Sequence, residues 1–212
     1  MISFNPQTLL LFTIASFVLA LTPGPVWLYL ISRTLAQGRR AGYFSMLGVT
    51  AGLGVHAALG AFGLTVILLA IPFAFDAIRL AGAAYLLWLA WTTIRGNGLS
   101  FEARPLPPAS AAALLRQGFV AAFLNPKVAV FYLSLFPQFV DPAAGSVLAQ
   151  SLLLGAVQLA TAAAVDVSVV TAAGFVARWF ATRPGWLEVQ RWFLGGAFGA
   201  LAAWLALDRK AA

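Results

Sequence analysis

Hydrophobic stretches long enough to cross a lipid bilayer recur along the whole of this chain. A helix needs about 20 apolar residues to span the hydrocarbon core. Six stretches meet that length, at approximately 7–31, 43–71, 75–94, 118–136, 147–176 and 189–207. Only 9% of the 212 residues are charged, against about 25% in a soluble domain. We therefore predict an all-α, polytopic membrane protein of six transmembrane helices.

Composition also excludes several classes of protein. Six spans with short loops leave no room for a soluble catalytic domain. The six acidic residues and the single histidine are scattered, so they give no carboxylate pair, metal cluster or triad. There are no cysteines, which removes disulfides and thiolate metal sites. We expect no enzyme activity, no metal and no cofactor. Prolines interrupt the first stretch, which predicts a span rather than a cleaved signal peptide.

Basic residues concentrate in the loops after the first, third and fifth spans. These loops contain Arg33, Arg39, Arg40, Arg95, Arg104, Arg116, Arg178, Arg183 and Arg191, whereas the opposite side has Arg79, Arg209 and Lys210. The positive-inside rule then places the odd-numbered loops in the cytoplasm and both termini outside. This topology explains the formal charge of +7 better than nucleic-acid binding, because no basic patch is interleaved with aromatic residues.

The chain divides into two similar halves. The first span is interrupted at Thr22–Pro25, and the fourth is interrupted about a hundred residues later at Asn125–Pro126. Three spans per half is an odd number, so the second half would insert upside down, and inverted repeats with interrupted helices are typical of transporters. We predict one transmembrane domain, residues 1–212, with 3+3 pseudo-repeats 1–95 and 117–212 joined by a cytoplasmic loop, 95–116.

The first interruption is a candidate binding site formed by Thr22, Pro23, Gly24 and Pro25. A proline inside a helix removes a backbone donor and clashes with the preceding turn. Backbone groups freed in this way are costly in lipid unless they face protein or water, which favours a cavity at this place. The alternative is a simple packing kink, since proline and glycine are frequent in membrane helices.

Two charged side chains are predicted at similar depth on neighbouring spans. Lys127, next to Asn125 and Pro126, lies about 16 Å of helix beyond Arg116, and Asp166 lies a similar depth from its own cytoplasmic end. A charged side chain inside a membrane is energetically costly and therefore indicates a functional site. We predict that the two residues form an exchangeable pair, in which Asp166 takes up protons or binds an ammonium and Lys127 binds a carboxylate. The alternatives are a permanent ion pair and a Lys127 that reaches out to the interface.

Two further polar residues join this candidate site. His56, the single histidine, lies among small residues in the second span and is a candidate proton relay; a hydrogen-bonded interior histidine is an equal alternative. Gln158 lies two turns before Asp166 and is expected in the same cavity. The glycines of 48–54 and 195–199 are expected to form packing faces. They can pack within one chain or between two, so a homodimer stays open.

The motifs together resemble those of the LysE/RhtB family of bacterial amino-acid exporters. The matching segments are Leu21–Pro25, Gly38–Gly42, Leu47–Gly48, His56, Gly63–Leu64, Arg79–Leu86, Gly118–Phe119, Asn125–Lys127 and Pro137–Phe139. The resemblance implies six spans arranged as an inverted pair of three, and a place in the bacterial cytoplasmic (inner) membrane. It also implies export of amino acids or close analogues, by proton antiport. It supplies no motif around Asp166, which is argued from membrane physics alone.

We therefore interpret the chain as a secondary active exporter of amino acids or related zwitterionic metabolites, with protons and the lipid bilayer as its other partners. No nucleotide-binding motif is present, so an ion gradient must drive transport. One rival is a different cargo on a related fold, such as a cation or a toxic metabolite; a metal exporter would need more intramembrane ligands. The second rival is a membrane scaffold that transports nothing.

Overall fold

The computed structural model describes residues 6–70 and 106–182, together with scattered helical residues between 80 and 95 and between 185 and 203. Within these residues all regular structure is helical and there is no strand. The α-helices are α1 (Pro6–Leu21), α2 (Pro25–Gln37), α3 (Arg39–Ala70), α4 (Ala111–Phe123), α5 (Pro126–Val130), α6 (Val147–Thr171) and α7 (Ala173–Ala181). A π-helix, Phe131–Leu135, and two 3-10 helices, Phe136–Phe139 and Pro142–Ala144, lie between α5 and α6.

The described helices coincide with the first, second, fourth and fifth predicted spans. By length and composition, α3 and α6 can each cross a bilayer, and the bent pair of α1 and α2 can form a third span. The predicted third and sixth spans fall mostly outside the described residues. The count of six spans, the inverted repeat and the division at 95–116 therefore stay predictions.

Two boundaries differ from those predicted. Helix α4 begins at Ala111, so residues 111–116 of the predicted loop are helical; the Ser110 side chain caps this helix by accepting a hydrogen bond from the Ala113 amide. The predicted fifth span is divided, because α6 ends at Thr171 and α7 begins at Ala173. In both places a short cap or turn decides the helix end, and hydrophobicity alone does not reveal it.

Polar and apolar side chains are distributed between the interior and the surface as expected for a protein in lipid. Large apolar side chains face outward, with Leu10 at 60% and Leu124 at 69% exposure, whereas Ser16, Gln158 and Asp166 are at most 5% exposed. A soluble protein seldom exposes extended apolar surfaces. The buried polar groups therefore lie in an interior enclosed by α1, α3 and α6, where they can line internal cavities.

Glycines allow α3 and α4 to pack almost backbone to backbone. A Cβ atom built on Gly48 would collide with the carbonyl oxygen of Leu115, and one built on Gly118 would collide with that of Ser45. Gly52 is nearly as tight, because a Cβ atom built on it would lie 2.7 Å from the carbonyl oxygen of Phe119. Gly48 and Gly52 thus form a packing face within one chain, as expected for this stretch, whereas a Cβ atom built on Gly54 meets nothing within 4 Å. Small residues serve this purpose generally in membrane helices.

Arg33 ties the segment before α4 to the end of α2. Its guanidinium is buried and donates hydrogen bonds to the carbonyl oxygen of Pro107 at 2.9 Å and to the side-chain oxygen of Gln117 at 2.9 Å. Gln37, one turn later, exchanges two hydrogen bonds with the backbone of Ala109. The arginine predicted to mark the cytoplasmic end of the first span is thus also a structural anchor.

Replacement of Arg33 by alanine should lower the stability of the fold. The change leaves the Pro107 and Gln117 oxygens without their donor, and hydrogen bonds to charged groups contribute about 1.5–3 kcal/mol each. We expect a lower thermal midpoint in detergent and faster proteolysis around 106–110. Arg39→Ala, at an exposed position on α3, is the control and should match the wild type. Equal midpoints for both variants would contradict the anchoring role.

Candidate functional site

The first helix break lies between α1 and α2, which are bent by 53° relative to each other. Thr22 ends α1 by bonding the carbonyl oxygen of Val18 through both its amide and its hydroxyl. Gly24 is extended and Pro25 begins α2, a position that suits proline because the first helical amide needs no partner. The predicted interruption is therefore a true break with two helix ends, and not only a kink.

The prolines leave carbonyl oxygens of α1 without their helical donors. The oxygen of Leu19 would normally bond the amide of residue 23, which in proline has no hydrogen. Instead, the Lys127 ammonium donates to the Leu19 oxygen at 2.9 Å and to the Thr22 oxygen at 2.7 Å. The indole of Trp27 donates to the Ala20 oxygen at 3.1 Å. Side-chain donors thus provide the hydrogen bonds that the carbonyl oxygens at the end of α1 no longer receive from the backbone.

The second break directs Lys127 towards the first. Asn125 is 2% exposed and caps α5, its side-chain oxygen accepting a hydrogen bond from the Lys127 amide at 3.0 Å. Pro126 begins α5 and follows the end of α4 at Phe123. The cap and the proline fix where α5 starts, so the Lys127 side chain leaves the first turn of α5 and reaches the break between α1 and α2.

Beyond α5 the helix widens into a π-helix, a form that is rare and frequent at functional sites. Tyr132 in this segment is 5% exposed and donates a hydrogen bond to the Gln158 side chain on α6 at 2.9 Å. Its ring also stacks on His56 of α3, with ring centres 5.9 Å apart. The π-helix therefore connects α3 and α6 behind the second break.

His56 caps the second break. Its Nε2 atom lies 2.9 Å from the carbonyl oxygen of Phe123, the last residue of α4. Because a carbonyl oxygen only accepts, Nε2 must carry a hydrogen and donate it. The two breaks are thus capped reciprocally: Lys127, which follows the second break, donates to the end of α1, and His56 of α3 donates to the end of α4.

Replacement of His56 by phenylalanine tests this capping role. Phenylalanine keeps a ring against Tyr132 but leaves the Phe123 oxygen without its donor, at an expected loss of about 1 kcal/mol or more. We expect a lower thermal midpoint. The control is Tyr43→Phe, which removes an exposed hydrogen bond to Thr171 and should have little effect. An unchanged midpoint for His56→Phe, together with lost proton coupling, would favour the proton relay instead.

A cavity of about 40 Å³ lies between the first break, α3 and α6. Its lining residues are Leu19, Ala20, Val26, Trp27, Val49, Leu53, Asn125, Lys127, Val128, Gln158, Ala162 and Asp166. A water molecule needs roughly 10–15 Å³ of such space, so the cavity has room for water but not for an amino acid. In this conformation the space around the polar groups is therefore narrow.

Lys127 and Asp166 face the same cavity and attract each other electrostatically. They form no direct ion pair within the described part of the chain, since both Lys127 contacts are to carbonyl oxygens. Asp166 is 5% exposed, and no described residue donates a hydrogen bond to its carboxylate. The predicted pair is thus two opposite charges across a small space, with the acid left open to another partner.

The structure brings together most of the predicted site residues. Asn125, Lys127, Gln158 and Asp166 line the cavity. The Thr22 carbonyl oxygen accepts a hydrogen bond from the Lys127 ammonium, and a Cβ atom built on Gly24 would lie 3.7 Å from the Lys127 Nζ atom. Pro25 and Pro126 each begin the helix that follows a break, and His56 lies behind the cavity, against the end of α4.

Sequence reasoning missed Trp27, whose indole N–H binds the Ala20 oxygen at the first break while its ring lines the cavity. A polar-tipped aromatic residue in the first turn after a double-proline break was the available signal. Within the described residues there is also no group of three or more potential metal ligands.

Comparison with known proteins identifies the family of this chain. The sequence profile of the LysE type translocators matches residues 17–209. A leucine efflux protein of Enterobacter is 30% identical over 92% of this chain and 93% of its own length. A homoserine/homoserine lactone efflux protein of Salmonella typhimurium is 30% identical, over 94% and 96%. An uncharacterized membrane protein of Escherichia coli is 33% identical, over 64% and 62%. No solved structure matches the chain.

Proposed function

The chain belongs to the LysE type translocator family, and from that premise we propose that it exports amino acids or closely related zwitterionic metabolites by secondary active transport. The family and the names of its relatives indicate a transporter rather than an enzyme. The observation that carries the proposal is the cavity between the two helix breaks, with one cation and one anion facing it. The site sits in the bacterial cytoplasmic membrane in this proposal.

The two charges suit the two ends of an amino acid. A lysine ammonium has three N–H donors, and two of them are used on the Leu19 and Thr22 oxygens. The third is available to a substrate carboxylate. The open carboxylate of Asp166 can receive the substrate ammonium. A zwitterion therefore replaces the long-range attraction across the cavity with two short ion pairs of its own.

The same arrangement supports proton antiport as the mode of transport in this proposal. A carboxylate without a hydrogen-bond donor can hold either a proton or the substrate ammonium, but not both, because both neutralise the same charge. Competition for Asp166 would couple outward movement of substrate to inward movement of protons. The absence of a nucleotide-binding motif from the sequence also favours an ion gradient as the driving force.

Transport in this proposal requires the cavity to open. Its volume of about 40 Å³ is well below the roughly 300–1,000 Å³ of ordinary ligand sites. We propose that the two halves of an inverted repeat rock around the site, as in other transporters with broken helices. The reciprocal caps of Lys127 and His56 cross between those halves, so they are the contacts that such a motion has to keep or exchange.

Reconstitution into liposomes tests the function. Liposomes containing the purified protein should accumulate labelled amino acids only when protons can flow down their gradient in the direction opposite to the substrate. Dissipating the proton gradient should stop the accumulation. A screen of all amino acids for export from overproducing cells then identifies the cargo. Movement of a cation or a toxic metabolite in place of amino acids would support the first rival. No movement under any gradient would support the scaffold.

A further inference from the structure

The first break presents a cluster of negative partial charge. Leu19 and Thr22 direct their carbonyl oxygens at one point, where both meet the same ammonium. These oxygens belong to the C-terminal end of α1, which carries the negative end of the helix dipole. Asp166 faces the same cavity, and its carboxylate attracts the same group when it is ionised.

Carbonyl oxygens of an interrupted helix, assisted by a carboxylate, are the ligands that monovalent cations find in membrane proteins. In this chain the position is occupied by a side chain. Lys127 begins at the second break, and its Nζ atom lies between the oxygens at 2.9 and 2.7 Å. The only described polar contacts of that atom are these two oxygens.

We propose that the first break is a monovalent-cation site which the chain fills with its own ammonium group, that of Lys127. The tethered cation balances the helix end and Asp166 without any free ion. The wild-type protein should therefore need no sodium or potassium. Removal of the ammonium, with its space left vacant, should turn the break into a site for a free cation such as methylammonium or sodium. The inference concerns the resting site and holds for any cargo.

The alternative is that Lys127 matters only for its bulk and its stem, which pack in the cavity. Two replacements separate these roles. Lys127→Ala removes the charge and opens the space, whereas Lys127→Met removes the charge but fills the space. Only the alanine variant should respond to added cations under the proposal, because methionine leaves no room beside the Leu19 and Thr22 oxygens.

The experiment measures thermal midpoints in detergent with methylammonium chloride or sodium chloride, against choline chloride at equal ionic strength. We expect the midpoint of Lys127→Ala to rise saturably, by about 4 °C at ten times the half-saturating concentration. Wild type and Lys127→Met should not respond. Adding Asp166→Asn to Lys127→Ala should raise the half-saturating concentration about 10-fold or more. A Lys127→Ala variant that responds no more than wild type overturns the proposal.

The wild type provides a second measurement. Exchange of sodium for choline should leave its midpoint unchanged, and a sodium-dependent rise would overturn the proposal, because the site would then not be filled already. If Lys127→Ala is recovered folded in methylammonium chloride but not in choline chloride, the proposal gains support. If Lys127→Ala fails to fold in either salt while Lys127→Met folds, the result counts against the proposal. Substrate takes no part in these readouts, so a wrong assignment of cargo would leave them unaffected.

Discussion

Replacement of Asp166 by asparagine is expected to abolish proton-coupled export while the protein still folds and inserts. Asparagine has nearly the same shape, but it cannot take up a proton or pair with a substrate ammonium. The fold should survive because Lys127 keeps its hydrogen bonds to the Leu19 and Thr22 oxygens, and the aspartate accepts no hydrogen bond from the described residues. Initial rates in liposomes should fall to those of protein-free vesicles.

Asp141→Asn is the matched control for this variant. Asp141 is exposed and accepts a hydrogen bond from the Ala143 amide, a role that an asparagine oxygen also fills. This variant should transport at the wild-type rate. Folding of both variants is checked by thermal midpoint and by their yield in the membrane fraction. Normal proton-driven export by folded Asp166→Asn would show that the acid is structural and that coupling occurs elsewhere.

Replacement of Gly48 by alanine should destabilise the protein more than the same replacement at any other glycine of α3. The new Cβ would overlap the carbonyl oxygen of Leu115, which belongs to the backbone of α4 and cannot rotate away. Relief requires the two helices to separate along their whole contact. Overpacking costs about 1–3 kcal/mol, and a backbone neighbour favours the upper end. We expect the thermal midpoint to fall by about 10 °C.

Gly54→Ala is the control on the same helix. A Cβ built there has no neighbour within 4 Å, and alanine is the better helix former by about 1 kcal/mol. Its midpoint should stay equal or rise slightly. Gly118→Ala, on the facing side of the contact, should repeat the loss through the Ser45 oxygen. If Gly48→Ala were as stable as Gly54→Ala, the close approach of α3 and α4 would be wrong.

The helix breaks were predictable from sequence because their cause is local. Pro23 and Pro126 have no amide hydrogen, so any helix through them loses a bond wherever it lies in the fold. The partners of the freed oxygens were not predictable. Thr22 and Lys127 are 105 residues apart, and His56 and Phe123 are 67 apart. Only the packing of helices that are far apart in the chain brings these donors to those acceptors.

Lys127 shows most clearly the difference between what the sequence predicts and what the packing decides. Two opposite charges at one depth suggested a direct ion pair with Asp166, since each otherwise lacked a partner. That reasoning counted charged side chains and left out the backbone. Carbonyl oxygens released by the prolines compete for the same ammonium, and in the structure they hold it. Asp166 is left as the acceptor that stays open in the cavity.

The sequence by itself determined that the chain lies in lipid, that two of its helices are interrupted, and that a lysine and an aspartate lie inside. These properties follow from hydrophobicity and from the missing amide hydrogen of proline, which act at each residue independently. The tertiary structure decided which donor meets which acceptor, how closely α3 approaches α4, and how small the cavity is. Those outcomes depend on distances between residues far apart in the chain, which packing alone sets.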